Sequence, residues 1–422
     1  MSLEALRRGD LAGATTLRLS GLTEFPREIF GLAETLEVLD LYGNPLTDLP
    51  QDMGRLRRLR VLFCSHTRIS RLPPALGDCP ALSQIGIRGT GLAEIPGESL
   101  PASLRWLTVT DNALTGLPDA LGQRPRLQKL LLSGNRIAQL PATLAQADNL
   151  ELLRLSANQL DALPDWLAAL PRLAWPAWAG NPFDHPRPID APLISWARLA
   201  GDRPLGEGAS GLVRAMHLTP EDRPVAVKLF KGRMTSDGLP EREMAATLAA
   251  GRHPFLLHAL GRIADHPEAV EGLVLPLLPE GTRALAGPPS LESCSRDVYD
   301  QDQHFSAASL RAIAAGIASA LAHLHARGLI HGDLYAHNIL WDGRTGPVML
   351  SDFGGACFIP PGENAGLLQR LEVRAYGILL RELLDRCAES LPALDALASS
   401  CMQPEVGARP AMAEVARSLA TR

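Results

Sequence analysis

Leu150-Glu151-Leu152-Leu153-Arg154-Leu155-Ser156-Ala157-Asn158-Gln159-Leu160-Asp161-Ala162-Leu163-Pro164 is one copy of a unit that repeats along the first half of the chain. Its closing proline recurs at Pro26, Pro50, Pro73, Pro96, Pro118, Pro141 and Pro164, in steps of 24, 23, 23, 22, 23 and 23 residues. L-x-L reads as a short strand, because leucines at period two put one apolar face inward. An amide or hydroxyl follows at Asn44, Thr67, Thr90, Asn112, Asn135, Asn158 and Asn181. Such a side chain can satisfy backbone groups where the chain turns off the strand. Leu-Pro then opens the return, where proline removes an N–H that the sheet does not need. One unit cannot bury its own apolar face, so stacked neighbours must supply the core. A plain helical bundle is excluded, since period-two positions recur inside a period of 23.

The unit resembles the leucine-rich repeat family over roughly 15–183, in about eight copies. The resemblance implies an α/β solenoid, and 1–185 is read as that domain. The end copies are degenerate, as caps are: Gly21 replaces the ladder Asn, and Trp175-Pro176-Ala177-Trp178 replaces the last strand. Ser2 can N-cap a short helix bearing Leu3 and Leu6. Strand alternation turns Tyr42, Phe63, Arg88, Trp106, Lys129, Leu131, Leu152, Arg154 and Trp175 toward the concave face. Tyr, Trp and Arg dominate binding hot spots. A protein or peptide partner is therefore expected on Tyr42, Phe63, Arg88, Trp106, Lys129, Arg154 and Trp175.

Past the repeats, residues 181–192 carry four prolines at 182, 186, 188 and 192, and neither glycine nor serine. This reads as a stiff connector, with 186–199 as the end of the linker.

The second half, 200–422, opens with Leu205-Gly206-Glu207-Gly208-Ala209-Ser210-Gly211-Leu212-Val213 and then Val225-Ala226-Val227-Lys228. A glycine-rich turn between two strands is a hairpin whose backbone can approach phosphates closely. Lys228 is one of three lysines against 38 arginines. A compact ammonium that meets a phosphate and a carboxylate together is not replaceable by a guanidinium fork. His331-Gly332-Asp333-Leu334-Tyr335-Ala336-His337-Asn338 and Asp352-Phe353-Gly354 follow.

That order resembles the eukaryotic-type protein kinase fold, a two-lobed α+β domain. With the repeats, the whole resembles a bacterial leucine-rich-repeat protein kinase, so the chain reads as multi-domain. The resemblance implies ATP and Mg²⁺ as cofactors. It implies an ATP site at Gly206, Glu207, Gly208, Ser210, Gly211, Val213, Ala226 and Lys228, with adenine at Leu275 (gatekeeper), Pro276 and Leu278. Lys228 would pair with a helix carboxylate, Glu243 or failing that Glu241. Asp333 would accept the proton of the acceptor hydroxyl, and Asn338 and Asp352 would hold the metal.

The chain also departs from that family. Gly332 stands where an Arg usually grips a phosphorylated activation loop, and Tyr335 where a Lys usually steadies the γ-phosphate. His337 occupies a place where tyrosine-specific members carry Arg, so Ser/Thr against Tyr preference cannot be read. No A-P-E signature precedes Glu372–Leu383, which resembles helix F with Glu372 for its usual Asp, and only 20 residues separate Asp352 from Glu372. Arg409 matches a late family Arg whose usual Glu partner is missing, and Leu291–Phe305 is a polar insertion. H-G-D-x-x-x-x-N with D-F-G-G also resembles aminoglycoside and choline kinases. Three functions follow as expectations: a protein kinase, a small-molecule kinase, and a catalytically weak pseudokinase scaffold.

Bulk properties narrow the field. The 422 residues carry a net charge of −5, with 19 basic and 20 acidic residues in 1–195 and 22 and 26 beyond. Neither half is basic, which argues against nucleic acid or an anionic membrane. Six cysteines at 64, 79, 294, 357, 387 and 401 form no C-x-x-C, so reduced thiols are expected rather than zinc or disulfides. With neither a signal-like N-terminus nor an uninterrupted apolar span, a soluble, cytoplasmic protein is expected.

Overall fold

The computed structural model describes residues 1–185, 191–232, 234–343 and 348–420. The chain divides into two compact units: Met1–Arg172 with Asn181–Phe183, and Leu173–Gly180 with Asp184–Arg422.

In the first unit a short helix α1 (Leu3–Arg7) is N-capped by Ser2, whose Oγ accepts the Ala5 N–H at 3.1 Å. Seven three-residue strands follow: β1 (Thr16–Arg18), β2 (Val38–Asp40), β3 (Val61–Phe63), β4 (Gln84–Gly86), β5 (Trp106–Thr108), β6 (Lys129–Leu131) and β7 (Leu152–Arg154). They pair in parallel, so that Leu17, Leu39, Leu62, Ile85, Leu107, Leu130 and Leu153 form one row. All seven side chains are buried. The ladder amides close the turns: Asn158 Nδ2 donates to the Leu132 and Leu155 carbonyls (3.0 and 2.9 Å), and its Oδ1 accepts the Ile137 N–H (3.1 Å). Asn135 and Asn44 repeat the pattern. Prolines 26, 73, 96, 118, 141 and 164 each immediately precede a 3₁₀ turn, the compact return that suits so short a repeat.

The second unit begins earlier than the sequence suggested. It takes in β8 (Trp175–Ala177), the strand of the last repeat. Residues 186–190 of the expected linker lie outside the described residues. The rest of it is no linker: β9 (Leu193–Ser195) is a sheet strand. Then come β10 (Leu199–Glu207), β11 (Gly211–Leu218), β12 (Arg223–Phe230), helix α2 (Pro240–Ala250), β13 (Gly261–Ala264) and β14 (Gly272–Pro276). The sheet order is β10-β11-β12-β14-β13-β9, antiparallel except for the β13–β9 pair. Along β12 the period of two sends Val225 and Val227 into one core cluster and Ala226 and Phe230 into the other, beside Met244 of α2. Lys228 shares the second face by the same alternation.

Beyond the sheet lie β15 (Arg283–Ala284), α3 (Ala307–Ala326), β16 (Leu329–Ile330), β17 (Ile339–Trp341), β18 (Met349–Leu350), β19 (Cys357–Phe358), α4 (Ala365–Leu384), α5 (Pro392–Cys401) and α6 (Met412–Ala420). Among the described residues, α3 alone is long and apolar enough to cross a membrane by length and composition. Leu310, Ile313, Ile317, Leu321 and Leu324 on it are buried within the protein, which accounts for that composition. The 291–305 insertion packs: Cys294 and Tyr299 are buried, and bridges join Gly287 to Val298 and Phe305 to Cys387.

Replacing Asn158 by Ala orphans a buried N–H and two carbonyls. It should destabilise the repeat unit by about 2–4 kcal/mol, read as a lower melting transition in calorimetry. Asn149→Ala removes one exposed bond to the Pro125 carbonyl and should cost less than about 1 kcal/mol.

Candidate active site

Lys228 lies mid-strand on β12, in register with Val213 on β11 and Leu273 on β14. Its Nζ forms an ion pair with Glu243 Oε1, from the first turn of α2. Both side chains are largely withdrawn from solvent. Burial pushes the Glu243 carboxyl up and the charge of Asp352 pushes it the same way, while Lys228 and a hydrogen bond from Ser210 oppose them; the net shift is upward. Glu243, and not Glu241, is therefore the partner.

A cleft of about 820 Å³ opens beside this pair. Of the residues expected around a nucleotide, Gly206, Val213, Ala226, Lys228, Leu275, Pro276 and Leu278 line it, together with Glu243 and Asp352. Glu207, Gly208, Ser210 and Gly211 belong to the hairpin rather than to the cleft lining. The hairpin turn is closed by Gly208 N–H donating to the Gly211 carbonyl at 2.9 Å. Lys231, which sequence reasoning passed over, ties that turn down: its Nζ donates to Glu207 Oε1 (2.5 Å) and to the Gly208 carbonyl (3.0 Å). Its signal was its rarity, as one of three lysines.

Asp333 and Asn338 sit on the segment between β16 and β17. Asn338 Nδ2 donates to Asp333 Oδ2 (2.8 Å) and to the Asp333 carbonyl (2.9 Å), which leaves Oδ1 as its acceptor atom. The Asp352 segment lies against this loop, for a Cβ added at Gly355 would stand 3.0 Å from Asp333 Cβ. Asp352 itself has φ +59°, a conformation Asp tolerates, and its Oδ1 accepts the Gly354 N–H at 3.0 Å.

Three contacts brace the loop from elsewhere. Glu372 of α4, fully buried, accepts the Gly332 N–H (2.7 Å) and bonds His325 Nε2 (2.8 Å). Asp297, from the insertion, meets His337 at both its N–H (3.2 Å) and its Nδ1 (2.7 Å). Trp175 donates its indole N–H to the Leu334 carbonyl at 2.8 Å. Arg409 bonds backbone: Nε donates to the Gln403 carbonyl and an Nη to that of Arg370. Burial pushes the Arg409 guanidinium down to about 10.

The concave-face expectations divide. Tyr42 is exposed, while Phe63, Arg88, Trp106 and Lys129 are half-buried. Lys129 lies over the Trp106 ring, its Nζ 4.1 Å from the centroid. Trp175 and Arg154 are corrections: both are buried, as are Leu131 and Leu152. The Trp175 ring is stacked on Tyr335, and Arg154 lies in a buried stretch with Glu151 and Leu152.

A glycine hairpin, a strand lysine paired with a helix carboxylate, and two facing acidic segments form the arrangement of a protein kinase domain. The protein kinase domain model matches residues 200–415, and the chain belongs to the protein kinase family. Leucine rich repeat models match residues 102–160 and 35–56. CBL-interacting protein kinase 22 of Oryza sativa is 29% identical over 192 residues, 42% of this chain and 40% of that protein. Protein kinase gsk3 of Schizosaccharomyces pombe is 24% identical over 207 residues, 48% and 49% of the two chains. Over the repeats, leucine-rich repeat and calponin homology domain-containing protein 1 of Mus musculus is 29% identical over 132 residues, 31% of this chain and 18% of that protein. The chain thus spans less than half the length of each of these relatives.

Two outcomes follow. Lys228→Met strands a buried carboxyl and should destabilise the second unit by roughly 3–5 kcal/mol, whereas Lys228→Met with Glu243→Met should recover most of it. Calorimetry of the two variants measures the difference. The second concerns pH. Burial lowers the pKa of His337, but its bond to Asp297 and the charges of Asp297, Asp333 and Asp352 outweigh that and raise it. A raised folded-state pKa stabilises fully below the unfolded value and is lost as pH rises through the folded one. Against His337→Gln, the wild-type advantage in melting temperature should be largest below about pH 6.5 and shrink as pH rises. A gap that widens with pH contradicts this assignment.

Proposed function

We propose that the chain transfers the γ-phosphoryl group of ATP to a hydroxyl of a protein partner. The observation that carries this reading is the shared cleft: Lys228, Glu243 and Asp352 line it together, with the Asp333–Asn338 pair abutting at Gly355. Lys228 is placed to meet the α- and β-phosphates while Glu243 holds its ammonium in place. Leu275, Pro276 and Leu278 offer an apolar slot with a carbonyl and an N–H for the base edge. Asp333 takes the proton of the acceptor hydroxyl as the new O–P bond forms and the β–γ bridging bond breaks.

The donor set suits a magnesium ion. Asn338 Oδ1 and the Asp352 carboxylate are hard oxygen ligands. No cluster of three or more His, Cys, Asp or Glu side chains that could hold a metal unaided occurs among the described residues. That fits a cation whose remaining ligands are phosphate oxygens and water. When bound, such a cation neutralises charge on the triphosphate.

We read the stretch from Asp352 to α4 as a shortened activation segment, since α4 begins at Ala365. We place a protein partner on the concave residues Tyr42, Phe63, Arg88, Trp106 and Lys129, aromatic and cationic in the manner of hot spots. We also propose a reducing, cytoplasmic setting. Burial pushes the Cys79 and Cys401 thiols up to about 12, too high for ready disulfide exchange.

Radiolabel transfer from γ-labelled ATP tests the reading. Wild type should label itself or a degenerate Ser/Thr/Tyr peptide mixture. Asp333→Asn should lower the rate by roughly a hundredfold or more. Equal labelling by wild type and Asp333→Asn would end the proposal. Labelling of an amino alcohol or aminoglycoside alone would move the chain to a small-molecule acceptor. Nucleotide binding without any transfer would leave a scaffold.

A further inference from the structure

Gly332 and Tyr335 are the two loop residues at which this chain departs most from the protein kinase pattern, and both face one short segment. A Cβ at Gly332 would collide with the carbonyl oxygens of Gly355 and Pro176, the latter at 2.7 Å. The backbone there has φ +70°, which disfavours any side chain. Three residues on, the Tyr335 ring stacks on Trp175 with centroids 4.4 Å apart and planes 7° from parallel. The Trp175 indole donates to the Leu334 carbonyl, the residue next to Asp333. Trp178, on the same segment, donates its backbone N–H to Cys357 Sγ (3.0 Å) and its indole N–H to the Phe358 carbonyl (3.0 Å). One segment thus grips the loop before Asn338 and the strand after Asp352.

The contacts close into a ring. Trp175 stacks on Tyr335, and Tyr335 on His337 at 5.1 Å and 26°. His337 bonds Asp297. The neighbouring Arg296 places its guanidinium 5.3 Å from the centre of the Trp175 ring. Asp333 and Asn338 flank in sequence its two loop members, Tyr335 and His337. Each link is modest alone, but a closed circuit allows no link to move without its neighbours. Every member of the ring lies within the second unit, yet Trp175 stands upstream of 200, where the kinase match begins.

We propose that Trp175 is a positioning residue for phosphoryl transfer. Its indole fixes the Asp333 loop through the Leu334 carbonyl and the Tyr335 ring. The inference rests on the phosphotransferase reading for its catalytic half and on geometry alone for the rest. Trp175 is not among the residues that line the nucleotide cleft, so it should govern turnover rather than ATP affinity.

The test uses the full chain as wild type, Trp175→Ala and Trp175→Phe. Two readouts are taken: phosphate transfer from ATP to the degenerate Ser/Thr/Tyr peptide mixture, and amide hydrogen exchange over residues 331–340 and 355–359. Trp175→Ala should lower kcat by roughly ten- to a hundredfold with the KM for ATP within about twofold. Exchange over the two segments should rise by at least about tenfold, while β11 and β12 exchange as in wild type. Trp175→Phe keeps the stack and loses the N–H, and should recover part of kcat. The proposal is overturned by a Trp175→Ala chain whose kcat and loop exchange match wild type. It is equally overturned by one in which exchange rises throughout the second unit and KM rises in step, the mark of general unfolding. Should Trp175→Ala fail to fold, Tyr335→Leu and Trp175→Phe carry the same readouts. A wild type that transfers no phosphate sinks the phosphotransferase reading, and loop exchange in the variants then decides the positioning role alone.

Discussion

A single buried carboxylate fastens the catalytic loop to its support. Glu372 has no exposed surface, and it accepts the Gly332 N–H while bonding His325. Through those two bonds α4, the end of α3 and the segment that carries Asp333 are held at one point. A buried carboxyl without hydrogen-bond partners would be costly there, and the loop backbone and the histidine supply them. Glu372 lies within α4 rather than at its start, seven residues past Ala365, and its carboxylate meets a glycine amide whose backbone has turned to φ +70°.

Much of the fold was written in period. The 23-residue step, the inward leucines, the ladder asparagines and the prolines each map onto a row of the first unit. These are local signals, and each repeat restates them. The kinase residues were legible for a different reason. Lys228, Glu243, Asp333, Asn338 and Asp352 lie far apart in sequence, but each sits in a short motif of fixed order. The cleft that gathers three of them, and the Asn338–Asp333 bond beside it, follow from that order.

What could not be read was what covers a surface. Alternation shows that Trp175 and Arg154 lie on the opposite side from the core leucines, yet both are buried. Nothing in a repeat unit states that the last strand meets Tyr335, 160 residues on. The packing of the insertion was equally opaque: nothing in its polar composition states that Asp297 binds His337 or that Tyr299 bonds Glu382 at 3.2 Å. Burial pushes the Glu382 carboxyl up to about 7, with the charge of Asp297 adding to it. Polar composition marks exposure only when the polar groups lack partners in the fold.

The boundary of the family match and the boundary of the folded unit are different places, 200 and 173. Anyone excising the kinase-family half by homology would cut away Trp175 and Trp178. The remaining piece would present the Tyr335 ring and the Phe358 carbonyl to water where indoles had met them. A truncation beginning near 173 keeps them, so the useful scissor point on this chain is set by packing rather than by kinship.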